Sequence, residues 1–354
     1  MIRAGRPDAA LAPLVPNADG SPENALAPVE LGDPDILGQV DNAVRGSGRI
    51  LVGVGRGPLP ASAVPLLAVL DCTLLEGTAP PDADPRTADP RTYVPVADAD
   101  TATERLSQSV RSGPLAALTL AGLLRMTDRL PVAEGLAAEP AAYSTPLAGP
   151  EFAAWRTDRP RRPVPPADQP VLVHHDGGLL RLELDRPERH NAFSAALRDG
   201  LVEAMEIARP DDTVTVTVTD AELAGRGPSF CSGGDLDEFG TASDPATAHI
   251  LRLRQSAGAA VGRCRDRERA RLHGACTGAG IEVPAFAARV TAHPDAFFQL
   301  PELAMGLIPG AGPTVGVTRR IGRRRAASPA LTGHRLSAVA TRDWRPVDHL
   351  ADHR

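Results

Sequence analysis

The sequence predicts an α/β protein in two parts, and three observations carry that expectation. Asp158 to Pro170 holds five prolines in thirteen residues, which stiffens the chain and leaves few places for regular hydrogen bonding, so a linker over 158–170 is expected. Beyond it, Leu180, Leu182 and Leu184 alternate with Arg181, Glu183 and Asp185, the period of a half-buried strand, and Phe193, Leu197, Leu201, Ala204, Met205 and Ala208 then recur at helical spacing. Before it, the run Arg49 to Val54 reads as a strand, and Leu115, Leu118, Leu123 and Met126 can share much of one helical face. A length of 354 residues also exceeds one ordinary domain.

Taken in order, residues 1–48 mix Pro, Gly, Asp and Asn with isolated apolar positions and are expected to form an extended arm. A smaller α/β unit is expected over 49–157. It comprises the strand at 49–54, a short buried segment from Pro65 to Leu75, a Pro/Asp-rich loop near 79–100, and a helix announced by the capping-box pattern Thr101-Ala-Thr-Glu104. After the linker, Val171–Val173, the turn Asp176-Gly-Gly178 and the alternating leucines make a hairpin, and Thr213 to Thr219 alternates Thr and Val as a further strand. These open a second domain over 171–354.

Composition narrows the function. Hydrophobic residues at 42%, charged residues at 23% and the absence of any run of about 20 apolar residues exclude a membrane-spanning chain. A net charge of −6 gives no bulk attraction to nucleic acid. All 38 basic residues are Arg, which excludes lysine Schiff-base chemistry. Cys72, Cys231, Cys264 and Cys276 lie far apart without CxxC spacing, and the N-terminus lacks the apolar core of a signal peptide, so a cytoplasmic protein with reduced thiols is expected.

Chemistry concentrates in three segments. Phe230-Cys-Ser-Gly-Gly-Asp-Leu236 places adjacent glycines where a strand turns and backbone N–H groups can face a ligand; alone it also reads as a tight turn with Asp235 capping the next helix. Gly274-Ala-Cys-Thr-Gly-Ala-Gly-Ile-Glu282 repeats the theme, a small-residue turn opening an apolar helix that carries a carboxylate. Glu302 follows in Leu300-Pro-Glu-Leu-Ala-Met-Gly-Leu-Ile-Pro-Gly-Ala-Gly312. With Arg186-Pro-Glu-Arg-His-Asn-Ala-Phe-Ser194, these strings resemble, in order and spacing, the crotonase superfamily, that is, the enoyl-CoA hydratase/isomerase family, over about residues 171–325.

The resemblance implies a spiral of ββα units and an acyl-CoA thioester as substrate, with hydration of a 2-enoyl double bond as the leading activity. A thioester undergoing such chemistry develops negative charge on its carbonyl oxygen, and a fixed N–H donor aimed at that oxygen lowers the barrier by about 3–4 kcal/mol. By position in the motifs, the donors are the N–H groups of Gly234 and Ala279. The acid–base pair is Glu282, activating water, and Glu302, exchanging the Cα proton. Arg189, Ala192, Cys231, Ser232 and Gly233 are implied to line the CoA channel, with Asp235 near its rim; Arg189 contacts a phosphate or stands solvated in its loop. No metal or redox cofactor is implied, and a trimer or hexamer is expected. CoA-ester isomerase, hydrolase or decarboxylase chemistry on the same anion hole, and a non-catalytic CoA-binding scaffold, remain open.

Other features read more plainly. Gly53-Val-Gly55-Arg-Gly57 leads to Pro58 and Pro60 and is not a dinucleotide fingerprint. His349 and His353 read as a frayed polar tail, and Cys231 as a small buried side chain. Arg319, Arg320 and Arg323 to Arg325 read as a solvated helix face, with phosphate contact as the alternative. Only 29 residues follow Arg325, fewer than the family's usual C-terminal helices need. The stretch from Pro114 to Phe152 loosely resembles those helices and is expected to pack in their place, interrupted at Pro140 and Pro146. Pro313 stands where the family commonly has a small residue, which puts the backbone beside Glu302 in question.

Overall fold

A computed structural model describes residues 25–32, 48–57, 59–77, 89–163, 169–208, 220–264 and 267–352. In the N-terminal half, β1 (Leu26–Glu30), β2 (Ile50–Arg56), β3 (Cys72–Glu76) and β4 (Val94–Val96) form a parallel sheet in that order. β1 corrects the expectation of an arm: Leu26 pairs with Ile50 and Glu30 with Val54, while Ala27 and Val29 are buried at alternate positions. The remainder of the arm, apart from its described ends, lies outside the described residues, as do Thr213 to Thr219, Pro58 and His353.

The sheet is covered on both faces, as parallel sheets are. Leu51 and Leu75 join Leu66 and Leu67 of α1 (Val64–Leu67) in one apolar cluster, whereas Ile50, Val52 and Leu74 join the main core with Leu106 and Val110 of α2 (Ala99–Ser112) and Leu120 of α3 (Pro114–Thr127). α2 begins earlier than the capping-box pattern suggests. Asp98, in extended conformation, accepts the N–H of Thr101 at 2.6 Å, and Glu104 pairs with Arg111 instead of reaching back. On α3 the buried face is Ala116, Ala117, Leu120, Leu123 and Leu124, and Met126 is 52% exposed, so the expected face was rotated.

α4 (Val132–Leu147) runs through Pro140 and Pro146 without a break, contrary to expectation, and α5 (Pro150–Thr157) follows. A proline inside a helix costs about 3 kcal/mol through a lost bond and a steric clash. Here both proline rings are buried, and α4 packs against α3 and against α7 (Pro245–Arg254), so tertiary burial offsets that cost.

In the C-terminal half, β5 (Val171–Asp176) and β6 (Leu179–Leu184) form the expected hairpin, closed by Gly177 and Gly178 at φ 52° and 96°. α6 (Ala195–Ala208) precedes β7 (Asp220–Gly225), and α8 (Ala257–Arg263) precedes β8 (Glu268–Leu272). Two ββα units then follow one another. In the first, β8 leads to β9 (Ala275–Thr277) and α9 (Ala279–Glu282); in the second, β10 (Arg289–Ala292) leads to β11 (Phe297–Gln299) and a 3-10 turn at Glu302–Met305. Helices α10 (Gly316–Ile321) and α11 (Arg323–Thr332) precede β12 (Leu336–Ser337) and β13 (His349–Leu350). The first strands of the units belong to a six-stranded sheet, order β13-β10-β8-β7-β6-β5, and the second strands to a three-stranded sheet, order β12-β11-β9. His349 pairs with Thr291 in β13 and is not part of a frayed tail.

One hydrophobic core runs through both halves, from Val52 and Leu120 to Leu182, Ile281 and Leu331. The basic cluster seals this junction. Arg323 and Arg325, expected on a solvated face, are buried because each finds partners in the N-terminal half. Arg323 donates to Asp71 at 3.3 Å and to the Leu70 carbonyl at 3.2 Å, and Arg125 meets the same Asp71 at 2.5 Å. Arg325 donates to the Tyr93 carbonyl and lies against the rings of Tyr93 and Trp344. Arg320 donates to the carbonyls of Ala285 and Ala287.

Candidate active site

Successive repeats bring the motif residues together. Cys231 bridges Cys276 of β9, which pairs with Phe298 of β11, so the turns that follow these three positions are stacked side by side. Those turns carry Gly234, Ala279 with Glu282, and Glu302. All line one cavity of about 450 Å³.

The two turns leave donors free. Around Gly234 the bridge to Phe193 is made by the Phe193 N–H to the Gly233 carbonyl (2.7 Å) and the Asp235 N–H to the Phe193 carbonyl (3.2 Å), which skips the Gly234 N–H. Ala279 opens α9, where helix geometry provides no acceptor for its N–H. Among the described residues neither N–H has an acceptor. A Cβ at 234 would lie 2.4 Å from the Phe239 ring, which would have to shift to admit it. Gly278, at φ 49°, takes the left-handed turn before α9, and a Cβ on it would lie 2.8 Å from Glu302 Oε1.

Glu282 and Glu302 are 2% and 8% exposed, so neither is a surface helix-start residue. Glu282 Oε2 accepts the Ala311 N–H at 2.6 Å, whereas Glu302 Oε2 is buried without a partner. Burial drives both carboxyls well above the ordinary range. Glu282 is raised further by Glu302 and Glu139, and Glu302 by Glu139. The apolar environment read from Leu300, Leu303, Ile281 and Val283 is present, all four being buried.

Asp235 also borders the cavity, but as a buried ion-pair partner and not as a helix cap. It accepts from Arg186 at 3.4 Å and from Arg189 at 2.9 Å. Arg189 additionally holds Asp237 at 2.8 Å, so its charge is met by two aspartates. Arg189, Ala192, Cys231, Ser232 and Gly233 do not border the cavity. They build its rim from behind: Ser232 donates its N–H to the His190 carbonyl, the Ala192 carbonyl accepts from Arg186, and burial pushes the Cys231 thiol up to about 12. Asn191, fully buried at φ 53°, pins this loop by donating to the carbonyls of Arg226, Ser229 and Phe230.

Sequence reasoning expected the 114–152 stretch to pack in place of the family's C-terminal helices but singled out none of the residues with which it walls the cavity. Leu136, Glu139 and Tyr143 project from one face of α4 into the cavity, and Arg252 of α7 stacks 4.0 Å over the Tyr143 ring. Glu139 is 2% exposed, and burial raises its carboxyl to about 7 despite the N–H and hydroxyl groups that it accepts. A single carboxylate in the apolar run Gly135-Leu-Ala-Ala-Glu139-Pro-Ala-Ala142 was the available signal. Pro313 fits its place: it lies between the N–H groups of Gly312 and Thr314, both bound by Glu139, where no third donor is needed.

The family model described as enoyl-CoA hydratase/isomerase matches residues 174–349. The chain is 30% identical over 197 residues to the 1,2-epoxyphenylacetyl-CoA isomerase of Escherichia coli (strain K12), a match covering 51% of this chain and 70% of that one. It is also 30% identical over 182 residues to an enoyl-CoA isomerase/hydratase of Mycosarcoma maydis, covering 49% of this chain and 65% of the relative's length. The crystal structure of an enoyl-CoA hydratase from Thermoplasma volcanium GSS1 is similar at 27% identity and a TM-score of 0.47, over 52% of this chain and 73% of that one. With two stacked ββα units presenting the family's motifs to one cavity, the chain belongs to the enoyl-CoA hydratase/isomerase family.

Proposed function

We propose that the protein adds water across the 2,3 double bond of an enoyl-CoA thioester. One observation carries this reading: two buried carboxyls, Glu282 and Glu302, share a cavity with the unpaired N–H groups of Gly234 and Ala279. The thioester carbonyl oxygen lies against those two donors. Glu282, as carboxylate, takes a proton from water as the water oxygen bonds to Cβ. The π pair moves toward the carbonyl, and the resulting enolate is held by the same N–H groups. Glu302, as carboxylic acid, delivers its proton to Cα and ends as carboxylate, and proton exchange restores the starting state. Burial and the repulsion between the two carboxyls keep the pair from ionising together near neutral pH, so that one member serves as acid while the other serves as base.

Loss of the conjugated enoyl-thioester absorbance tests the reading, with crotonyl-CoA and with a longer or aromatic enoyl-CoA. Turnover that falls by a factor of ~10² or more in Glu302→Gln or Glu282→Gln supports hydration by this pair. Binding of the CoA ester without water addition, but with proton exchange at Cα, moves the assignment to isomerase chemistry; binding with no chemistry supports a scaffold. A homo-oligomer of trimer or hexamer type belongs to the same proposal and is read by sedimentation. Among the described residues no helix is long and apolar enough to cross a membrane.

A further inference from the structure

The loop Gly310–Thr314 is held by two carboxylates from different halves of the chain. Glu282 Oε2 accepts the Ala311 N–H at 2.6 Å. From α4, Glu139 Oε1 accepts the Gly312 N–H at 2.6 Å, and Oε2 accepts the Thr314 N–H at 3.1 Å and its hydroxyl at 2.5 Å. The helix is pressed onto the same loop, since a Cβ at Gly310 would lie 2.5 Å from the Tyr143 ring and one at Gly312 3.2 Å from Leu136. Glu139 therefore fixes the loop on either side of Pro313, and the loop in turn fixes Glu282.

We propose that Glu139 is a positioning residue for the acid–base pair: it holds the Gly310–Thr314 loop from which the Ala311 N–H orients Glu282. This rests on the hydratase reading above. Glu139 is the acceptor that these three donors need, and an apolar side chain of the same size would leave them buried without one, so the loop's conformation depends on this carboxyl. Its place beside the pair also gives it a second effect. The titratable and charged groups facing it are Glu282, Glu302, Tyr143 and Arg252. Once ionised, Glu139 opposes ionisation of both glutamates, while Arg252 favours its own.

The test is Glu139→Gln, which keeps size and removes the charge and part of the acceptor capacity. The expected result is a kcat lowered about tenfold or more with KM changed by less than about threefold, and a basic limb of the kcat profile displaced to lower pH, since the Glu302 acid loses its proton more readily. Thr314→Val, which removes only the hydroxyl bond, is expected to show a smaller loss of kcat, and Thr314→Ser to restore it. Unchanged kcat and unchanged pH profile in Glu139→Gln overturn the proposal, and so does a fall in kcat with an unmoved profile that Thr314→Val does not share. If Glu139→Gln fails to fold, the Thr314 pair decides: no difference between Val and Ser overturns it. Should the wild type hydrate no enoyl thioester, the hydratase reading fails by itself, and the carboxyl stretching band followed by infrared titration replaces turnover. A buried-carboxyl midpoint displaced to lower pH in Glu139→Gln then supports the coupling, and an unmoved midpoint overturns it.

Discussion

Glu139 and Glu282 accept adjacent N–H groups of one loop, Glu282 that of Ala311 and Glu139 that of Gly312, each at 2.6 Å. One side chain belongs to a family motif and the other to a helix from outside the matched region. The cavity is therefore a joint product of the two halves, and its behaviour should respond to changes on either side of the junction.

Stability should fall as pH rises across the neutral range. Glu139 is raised from 4.5 to about 7 and Glu268 from 4.5 to about 8 by burial, and Glu282 and Glu302 move in the same direction. A carboxyl raised in the folded state binds its proton more tightly there than in the unfolded chain. Its stabilising contribution is therefore complete below the unfolded value and lost as pH rises through the folded one. The Tm of the wild type should fall between about pH 5 and 8, and the slope should flatten in Glu302→Gln. A Tm that rises with pH across this window would contradict the upward direction in which burial moves these carboxyls.

Gly278→Ala should disable the site while leaving the fold. The new Cβ would lie 2.8 Å from Glu302 Oε1 at a residue with φ 49°, so the carboxyl must shift from its place. We expect turnover to drop ~10²-fold with a stability loss of about 1–2 kcal/mol. Steady-state kinetics beside urea denaturation separate the two effects, and near-normal turnover would show that the position of Glu302 is not critical.

Arg323→Met should weaken the junction. The guanidinium is buried against Asp71 and the Leu70 carbonyl, and its loss leaves the buried Asp71 with Arg125 and the Leu51 N–H. Because Arg125 still compensates the carboxylate, the expected cost is that of the lost charge-assisted bond, about 1.5–3 kcal/mol. Denaturation midpoints read the loss, and replacing Asp71 by Asn in the same chain should lower them further, since it also breaks the pair with Arg125.

Residues 169–354 alone should not reproduce the parent protein. Without α3 and α4 the apolar faces of α7 and α11 lie open, and the cavity loses Leu136, Glu139 and Tyr143. Circular dichroism melts of this piece should lack a sharp cooperative transition, and enoyl-thioester turnover should be absent. A stable, fully active piece would mean that the N-terminal helices are dispensable.

Much of the chemistry was legible because it is local. Gly234, Ala279, Glu282 and Glu302 sit in short strings whose turn residues announce themselves, and the hairpin at Gly177 and Gly178 follows from alternation and turn type. What escaped was non-local. Periodicity on α3 placed Met126 inside because it cannot tell which of two adjacent apolar stripes meets a neighbour. Proline rules broke α4 because they count the lost bond and not the packing that offsets it. Arg323 and Arg325 looked solvated because their partners, Asp71 and Tyr93, are remote in the chain, and Glu139 carried no motif at all.

The span of these pairings bears on how the chain reaches its structure. Asp71 and Arg323 are separated by 252 positions, and Glu139 and Gly312 by 173. Closing such loops costs entropy before any contact returns it, and proteins dominated by distant pairings fold slowly. During synthesis α4 emerges long before the loop that covers Glu139, so its carboxyl and the apolar face around it must wait in water until the last quarter of the chain arrives.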